Sequence, residues 1–254
     1  MCNPFSCIAT RGGQIFSQVD DPSHTEIARL NNLPEDGKSE LYRAKIEVVP
    51  RDGHTFAEPP DKATWIVVVD EPSCPDWYSD RTERAAMAAA LTWWKSRVIA
   101  PDSNVCVAAG VWFVLEGAPT ITQSGGEVRT FDSSAPTITQ SGGVVRTYDS
   151  SAPTITQSGG EVRTYDSSAP TITQSGGEVV TYGSSAPTIT QSGGEVVTYD
   201  SSAPTITQSG GVVVTFGSSA PTITQSGGEV VTFDSSAPTI TQSGGEVRTT
   251  KERP

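Results

Sequence analysis

Residues 118–134 read APTITQSGGEVRTFDSS, and seven further copies of this 17-residue sequence follow without a break. The copies begin at Ala118, Ala135, Ala152, Ala169, Ala186, Ala203, Ala220 and Ala237. A period of 17 residues is too short for a pair of helices and lacks the pattern of leucine-rich repeats. It favours one short β-coil per copy, so the repeat predicts a β-solenoid.

Each copy contains two candidate strands, PTITQS and EVRTF in the first, separated by Gly-Gly on one side and Asp-Ser-Ser-Ala on the other. Both separators are strong turn formers. Because side chains alternate along a strand, Ile121 and Val128 are expected inside each coil, with Gln123 and Thr130 as candidate inward polar residues. The prediction is an all-β, two-sided thin solenoid of eight coils.

The composition changes near residue 117, because every Cys and His precedes it. We expect a small α+β domain over residues 1–100 and a degenerate first coil, which caps the rod, over 101–117, where VCVAAG and VWFVLEG occur. Residues 118–250 then form the repeats. Residues 251–254 add a charged C-terminal cap that discourages end-to-end growth.

The N-terminal domain is predicted to contain two helices and four strands. The predicted strands are SCIAT at 6–10, QIFSQ at 14–18, LYRAKIEVV at 41–49 and TWIVVVD at 64–70, and the predicted helices begin at His24 and Asp80. The continuous apolar run of the last strand is typical of a buried central strand. In the second helix, Met87, Leu91 and Trp94 define the face expected to pack on the sheet.

Charge and hydropathy exclude several classes of function. With 17 basic and 29 acidic residues the net charge is −12, which disfavours nucleic-acid binding through a basic patch. The sequence lacks an apolar run of about 18 residues and a signal peptide, so we expect no membrane partner and a cytoplasmic location, with leaderless export left open.

The four cysteines are too scattered for a disulfide framework and lack the spacing of a zinc site. Buried free thiols are expected, without a metal or a cofactor. Cys2 is the one catalytic candidate, because removal of Met1 would give it an α-amino group that acts as its base. Hydrolases of that kind need a larger fold than about 100 residues supply, so no enzyme is expected.

Short motifs in the first domain resemble those of a set of uncharacterised bacterial and phage-encoded proteins. These motifs are MCNP at 1–4, Ser-His at 23–24, VVP at 48–50 and PDWY at 75–78. Proteins of that set also carry a short N-terminal domain followed by tandem repeats. The resemblance implies the layout of the chain and brings no activity with it.

A Thr-x-Thr pair recurs in every copy, and its side chains are expected to point outward. The pairs are Thr120 and Thr122, Thr137 and Thr139, Thr154 and Thr156, Thr171 and Thr173, Thr188 and Thr190, Thr205 and Thr207, Thr222 and Thr224, Thr239 and Thr241. Neighbouring threonines are about 6.7 Å apart along a strand and about 4.8 Å apart between coils. The flat grid resembles the Thr-x-Thr array of insect antifreeze solenoids and the bacterial ice-nucleation repeat, although the period differs and the insect disulfides are absent. This resemblance implies ice binding.

The opposite face carries a column of aromatic residues. They are Phe131, Tyr148, Tyr165, Tyr182, Tyr199, Phe216 and Phe233. The rings can stack on one another, or they can pair two rods through an isologous interface. On the same face an Arg column changes to Val in four consecutive copies, which favours a contact surface. The favoured function is a non-enzymatic scaffold rod that self-associates through this ladder; the alternatives are ice binding through the Thr-x-Thr face and, third, an N-terminal Cys hydrolase.

Overall fold

The computed structural model of the chain describes residues 5–18, 23–33, 42–132, 134–149, 151–166, 168–183, 185–200, 202, 204–217, 221–233 and 239–250. It divides into two compact units, Met1–Val98 and Ile99–Pro254. The first unit is α+β and the second is a parallel β-solenoid, so the predicted fold class is confirmed.

The first unit is built on a four-stranded antiparallel sheet with the order β2-β1-β3-β4. Its elements are β1 (Ser6–Thr10), β2 (Ile15–Ser17), α1 (His24–Leu30), β3 (Arg43–Pro50), β4 (Trp65–Val69) and α2 (Asp80–Arg97). Ser23 caps α1 by accepting a hydrogen bond from the Glu26 backbone N–H at 3.5 Å. Helix α1 buries Ile27 and Ala28 against Ile8 of β1.

The buried face of α2 differs from the predicted one. Ala86, Ala90 and Trp93 are buried together with Trp94, whereas Met87 and Leu91 are only half-buried. Alanine lets the helix approach other elements closely, and the Trp93 ring then packs 5.5 Å from the ring of Phe5. The prediction was right for Trp94 and misplaced the centre of the face by about one residue, a rotation of roughly 100° on a helix.

Strand β4 was also predicted wrongly, because it lies at the edge of the sheet and pairs with β3 alone among the described strands. Trp65 is fully buried, but Ile66 and Val68 are 37% and 41% exposed. A run of apolar residues shows that both faces of a strand are apolar. It does not show how many strands lie beside it.

The solenoid consists of two nine-stranded sheets. We call the first the threonine sheet, and its strands are β5 (Asn104–Val107), β7 (Thr120–Gln123), β9 (Thr137–Gln140), β11 (Thr154–Gln157), β13 (Thr171–Gln174), β15 (Thr188–Gln191), β17 (Thr205–Gln208), β19 (Thr222–Gln225) and β21 (Thr239–Gln242). We call the second the aromatic sheet, and its strands are β6 (Val111–Val114), β8 (Glu127–Thr130), β10 (Val144–Thr147), β12 (Glu161–Thr164), β14 (Glu178–Thr181), β16 (Glu195–Thr198), β18 (Val212–Thr215), β20 (Glu229–Phe233) and β22 (Glu246–Thr250).

Every pairing between coils is parallel and in register, so each residue lies beside its equivalent one copy later. Strands β5 and β6 continue both sheets, which confirms the degenerate first coil. One continuous core of Ile and Val fills the rod, and Ile121 and Val128 are fully buried as predicted. Burial of each such side chain contributes about 1.5–3 kcal/mol to the stability of its coil.

Buried polar side chains join successive coils at the two narrow ends. Gln140 Nε2 donates to the carbonyl of Gly143 at 3.0 Å and to that of Glu161 in the next coil at 3.0 Å. At the other end Thr130 Oγ1 donates to Ser151 Oγ at 3.1 Å. Equivalent bonds recur along the rod, which confirms the inward prediction for Gln123 and Thr130.

The two turns of each coil have different steric requirements. The second Gly of each Gly-Gly turn has a positive φ, and a Cβ at Gly177 would lie 2.4 Å from the carbonyl oxygen of Gly160. The opposite turn also contains a residue of positive φ, Asp166 in one copy and Gly183 in the next. At Gly183 the nearest atom to a Cβ is 3.6 Å away, so a side chain fits there.

Candidate binding surfaces of the solenoid

The threonine sheet presents its outer face to solvent, and all 16 threonines of the Thr-x-Thr pairs are exposed. In-register pairing places Thr171 beside Thr188 and Thr173 beside Thr190. Two straight columns of hydroxyl and methyl groups therefore run along the sheet. At the first coil the same columns are continued by Asn104 and Cys106.

A third column of hydroxyls lies beside the two threonine columns and was missed in the sequence. The serine that follows each threonine strand is exposed, as are Thr120 and Thr122. These serines are Ser124, Ser141, Ser158, Ser175, Ser192, Ser209, Ser226 and Ser243. From Ser141 onward, the hydroxyl of each of these serines donates a hydrogen bond of 3.4 Å to the carbonyl of the Gln in the preceding coil. The signal was the continued alternation Thr-x-Thr-x-Ser, which predicts one more outward residue.

The outer face of the threonine sheet is uncharged in every copy, because TITQSGG contains no ionisable residue. The chain as a whole has a net charge of −12. This face therefore offers hydrogen bonds and methyl groups at a fixed spacing, without the ions that hold water in irregular shells. It suits a ligand that is itself neutral and periodic.

The aromatic residues form one continuous stacked column. Ring centroids of successive residues from Phe131 to Phe233 are 4.8–5.3 Å apart, and the interplanar angles are 6–9°. Phe131 is buried and the other six rings are half-buried. Burial raises the pKa of the Tyr148 and Tyr182 hydroxyls. The first of the two sequence interpretations, stacking within one rod, is confirmed.

Charges on the aromatic sheet are unevenly distributed. Arg129 and Arg146 both reach Glu127 Oε1, with Nε to Oε1 distances of 2.6 and 2.9 Å, and Arg163 pairs with Glu161. The pairing with Glu161 raises the pKa of the Arg163 guanidinium. The first three copies therefore carry matched or surplus cations on this sheet.

The middle of the aromatic sheet carries acidic and apolar residues instead. Val180 and Val197 replace arginines and are 4% and 7% exposed, although they face outward from the sheet. Glu178 and Glu195 beside them are exposed. Burial and the neighbouring Glu161 and Glu195 carboxylates raise the pKa of Glu178. We call the aromatic column together with residues 178, 180, 195 and 197 the aromatic strip.

The candidate residues of the first unit lie apart from these surfaces in sequence. Cys2 is outside the described residues. Cys7 is buried, and burial raises its thiol pKa to about 12, whereas Cys74 and Cys106 are exposed, contrary to the expectation of buried thiols. Cys106 is exposed because it occupies the outward position of β5 that is equivalent to Thr122.

The described part of the chain contains no group of three or more His, Cys, Asp or Glu placed to hold a metal ion. Within it, neither helix is apolar enough over sufficient length to cross a membrane. A scan of protein-family models and searches of curated proteins and of solved structures found no match to this chain.

Proposed function

We propose that this protein is a non-enzymatic scaffold whose outer threonine face binds ice. One observation supports the proposal most directly. Across the eight copies the two outward threonines never change, whereas the outward residues of the aromatic sheet do. The copies therefore differ from one another on one sheet and are identical on the other.

Packing does not account for that contrast. The second Gly of TITQSGG is fixed by its turn and Ile by the core, but the threonine side chains are exposed and could be replaced at little cost in stability. On the other sheet Glu127 becomes Val144, and Arg163 becomes Val180, with the backbone pairing unchanged. We infer a surface role for the constant threonines; recent duplication of the copies is the alternative explanation.

The face has the chemistry that an ice surface requires. Its hydroxyls repeat at about 4.8 Å between coils and about 6.7 Å along a strand, and each threonine adds a methyl group beside its hydroxyl. Methyl groups leave the adjacent water to bond with itself, while the hydroxyls anchor that water at regular positions. The serine column widens the grid from two hydroxyls to three per coil.

The test compares substitutions on the two sheets of the same coils. Thr173→Lys with Thr190→Lys places two long cations on the threonine face, and Glu178→Lys with Glu195→Lys places two on the aromatic sheet. We expect inhibition of ice recrystallisation and thermal hysteresis in the native protein and in the Glu variant, and loss of both in the Thr variant. A native protein without effect on ice growth, or equal loss in both variants, would contradict the proposal.

Self-association through the aromatic strip is the second candidate function. It is favoured by the charge distribution, because the strands of the first three copies carry three arginines and two glutamates, whereas those of the next two carry Glu178 and Glu195 with valine in place of arginine. Two antiparallel rods centred near Tyr165 would place Arg146 of one beside Glu178 of the other. The stacked rings leave only their edges exposed, so the apolar area available is smaller than the sequence indicated.

Changing Tyr165, Tyr182 and Tyr199 to Asp should break the contact between the two strips and so lower the mass of the native assembly. Light scattering during gel filtration measures the mass. The Thr173→Lys and Thr190→Lys variant is the control and should keep the native mass. If the native chain has the same mass as the Asp variant at all concentrations, the strip does not pair rods.

A further inference from the structure

Strand β4 combines the composition of a central strand with the position of an edge strand. All five residues of Trp65–Val69 are apolar, and the strand lacks the Lys, Pro or bulge that protects exposed edges. Ile66 and Val68 project from the sheet face opposite to Trp65 and remain over one third exposed. We infer that β4 pairs antiparallel with β4 of a second copy of this chain.

Among the described residues, no strand pairs with the outer side of β4, so backbone hydrogen-bonding groups are open there. The Arg51 N–H donates to the Thr64 carbonyl and the Asp70 N–H to the Lys45 carbonyl, both at 2.9 Å. Bonded pairs alternate along an antiparallel ladder. The backbone N–H and C=O groups of residues 66 and 68 therefore bond to β3, and those of residues 65, 67 and 69 point away from β3. The Trp65 N–H is already bonded to the Asp61 carbonyl at 2.7 Å.

One register pairs all of these outward groups except the Val69 carbonyl, and it does so symmetrically. A twofold axis at Val67 lets the Val67 N–H of each copy donate to the Val67 carbonyl of the other, and each Val69 N–H donate to the opposite Trp65 carbonyl. That register also places Ile66 of one copy directly opposite Val68 of the other, on the same face of the joined sheet. The two most exposed apolar side chains of β4 thus cover each other.

The charges at the two ends of β4 also favour this arrangement. The N-terminal end carries Lys62 and Arg51 beside Asp61 and Asp52, and the Arg51 Nε donates to the Lys62 carbonyl at 3.1 Å. The C-terminal end carries Asp70 and Glu71, and the Asp70 carboxylate lies 3.4 Å from His24 Nδ1 with its side chain 58% exposed. The twofold axis keeps the two carboxylate-rich ends apart and brings each of them to Lys62 and Arg51 of the other copy. A parallel arrangement would place like charges together, so charge favours the antiparallel one.

Two substitutions in the full-length chain test this interface without disturbing the pairing with β3. Val67→Pro removes a backbone N–H that points away from β3, and an edge strand tolerates proline at such a position. Val68→Lys places a cation opposite Ile66 of the second copy. We expect a dimer by sedimentation for the native chain and a dissociation constant raised roughly tenfold or more in each variant.

Leu30→Lys is the matched control, because Leu30 is 48% exposed on the same unit but lies on α1. It should leave the dimer intact, and circular dichroism should show native folding for all three variants. A native chain that is monomeric from micromolar to near-millimolar concentration would overturn the inference, and so would a dimer that survives Val67→Pro and Val68→Lys. The triple Tyr→Asp variant of the aromatic strip should still dimerise through β4, which separates the two interfaces.

Discussion

The two sheets of the solenoid share one backbone plan but differ in what their outward positions tolerate. On the threonine sheet Thr171 and Thr173 are exposed and unchanged in every copy, whereas on the aromatic sheet Val180 replaces an arginine and is buried among its neighbours. Inward positions are nearly invariant on both sheets because the core requires them. Constancy is therefore informative only where packing does not impose it, and this directs attention to the threonine face.

The largest difference in the stability lost on substitution is expected between the two turns of a coil. Gly177→Ala forces a Cβ against the Gly160 carbonyl in a backbone of positive φ and should destabilise the rod by about 3 kcal/mol or more. Gly183→Asp recreates the turn found at Asp166 and should change stability by less than about 0.5 kcal/mol. Chemical denaturation of both variants measures the contrast. Similar losses would show that the turns do not differ as described.

Substitutions of the buried polar residues at the two narrow ends should differ less in their effect on stability than substitutions in the two turns. Gln174→Leu removes two hydrogen bonds, to the Gly177 carbonyl at 2.9 Å and the Glu195 carbonyl at 3.1 Å. Thr181→Val removes one, to Ser202 at 3.1 Å. We expect losses of about 2 and about 1 kcal/mol, respectively, in the free energy of unfolding. A larger loss for Thr181→Val would reverse the assigned importance of the two ends.

The outward positions of the two sheets can be compared by truncation to alanine. Tyr182→Ala removes two ring stacks, with centroid distances of 5.2 and 5.3 Å, and should lower stability by roughly 1–3 kcal/mol. Thr173→Ala should lower it by no more than about 0.5 kcal/mol because the side chain is exposed. Thermal unfolding is the measurement. A strongly destabilised Thr173 variant would mean that threonine is constant for structural reasons.

The smallest effect concerns the acidic turn. Burial, followed by the Asp132 and Asp166 carboxylates, raises the pKa of Asp149. The folded chain thus binds this proton more tightly than the unfolded one, so stability falls as pH rises from the ordinary carboxyl pKa through the raised one. Asp149→Asn should remove that decline and add less than about 0.5 kcal/mol at neutral pH, because the group is largely solvated. Denaturation of the native chain and the Asn variant between about pH 3 and pH 7, which spans the carboxyl pKa range, measures this difference. The same pH dependence in both chains would contradict the prediction.

The sequence was sufficient for the solenoid because period, turn residues and alternation all indicate one coil per copy. Ile121, Val128, Gln123 and Thr130 could be placed inside from alternation alone. The position of β4 at the sheet edge could not be predicted in this way, because the order of strands in a sheet depends on contacts between residues that are distant in the sequence. The half-burial of the rings was also out of reach, because it depends on stacking between copies.

Among the candidate site residues, the threonines were predicted individually and their exposure follows from strand parity. Ser124 and its equivalents were overlooked, although the serine ends the predicted strand PTITQS and alternation makes it an outward residue. In α2 the small size of Ala86 and Ala90 decided the buried face, whereas apolar spacing had pointed to larger side chains. Size complementarity with the sheet is not visible in a single sequence.

The in-register contacts between coils have a consequence for how such a gene can change. The bond from Thr130 to Ser151 and the bond from Thr147 to Ser168 are the same bond one copy apart. Recombination that removes or inserts a whole copy therefore joins two surfaces that already fit. Each event would alter the length of the rod by about 4.8 Å and the threonine grid by one row. The number of coils is an adjustable dimension that natural variation can tune without redesigning any contact.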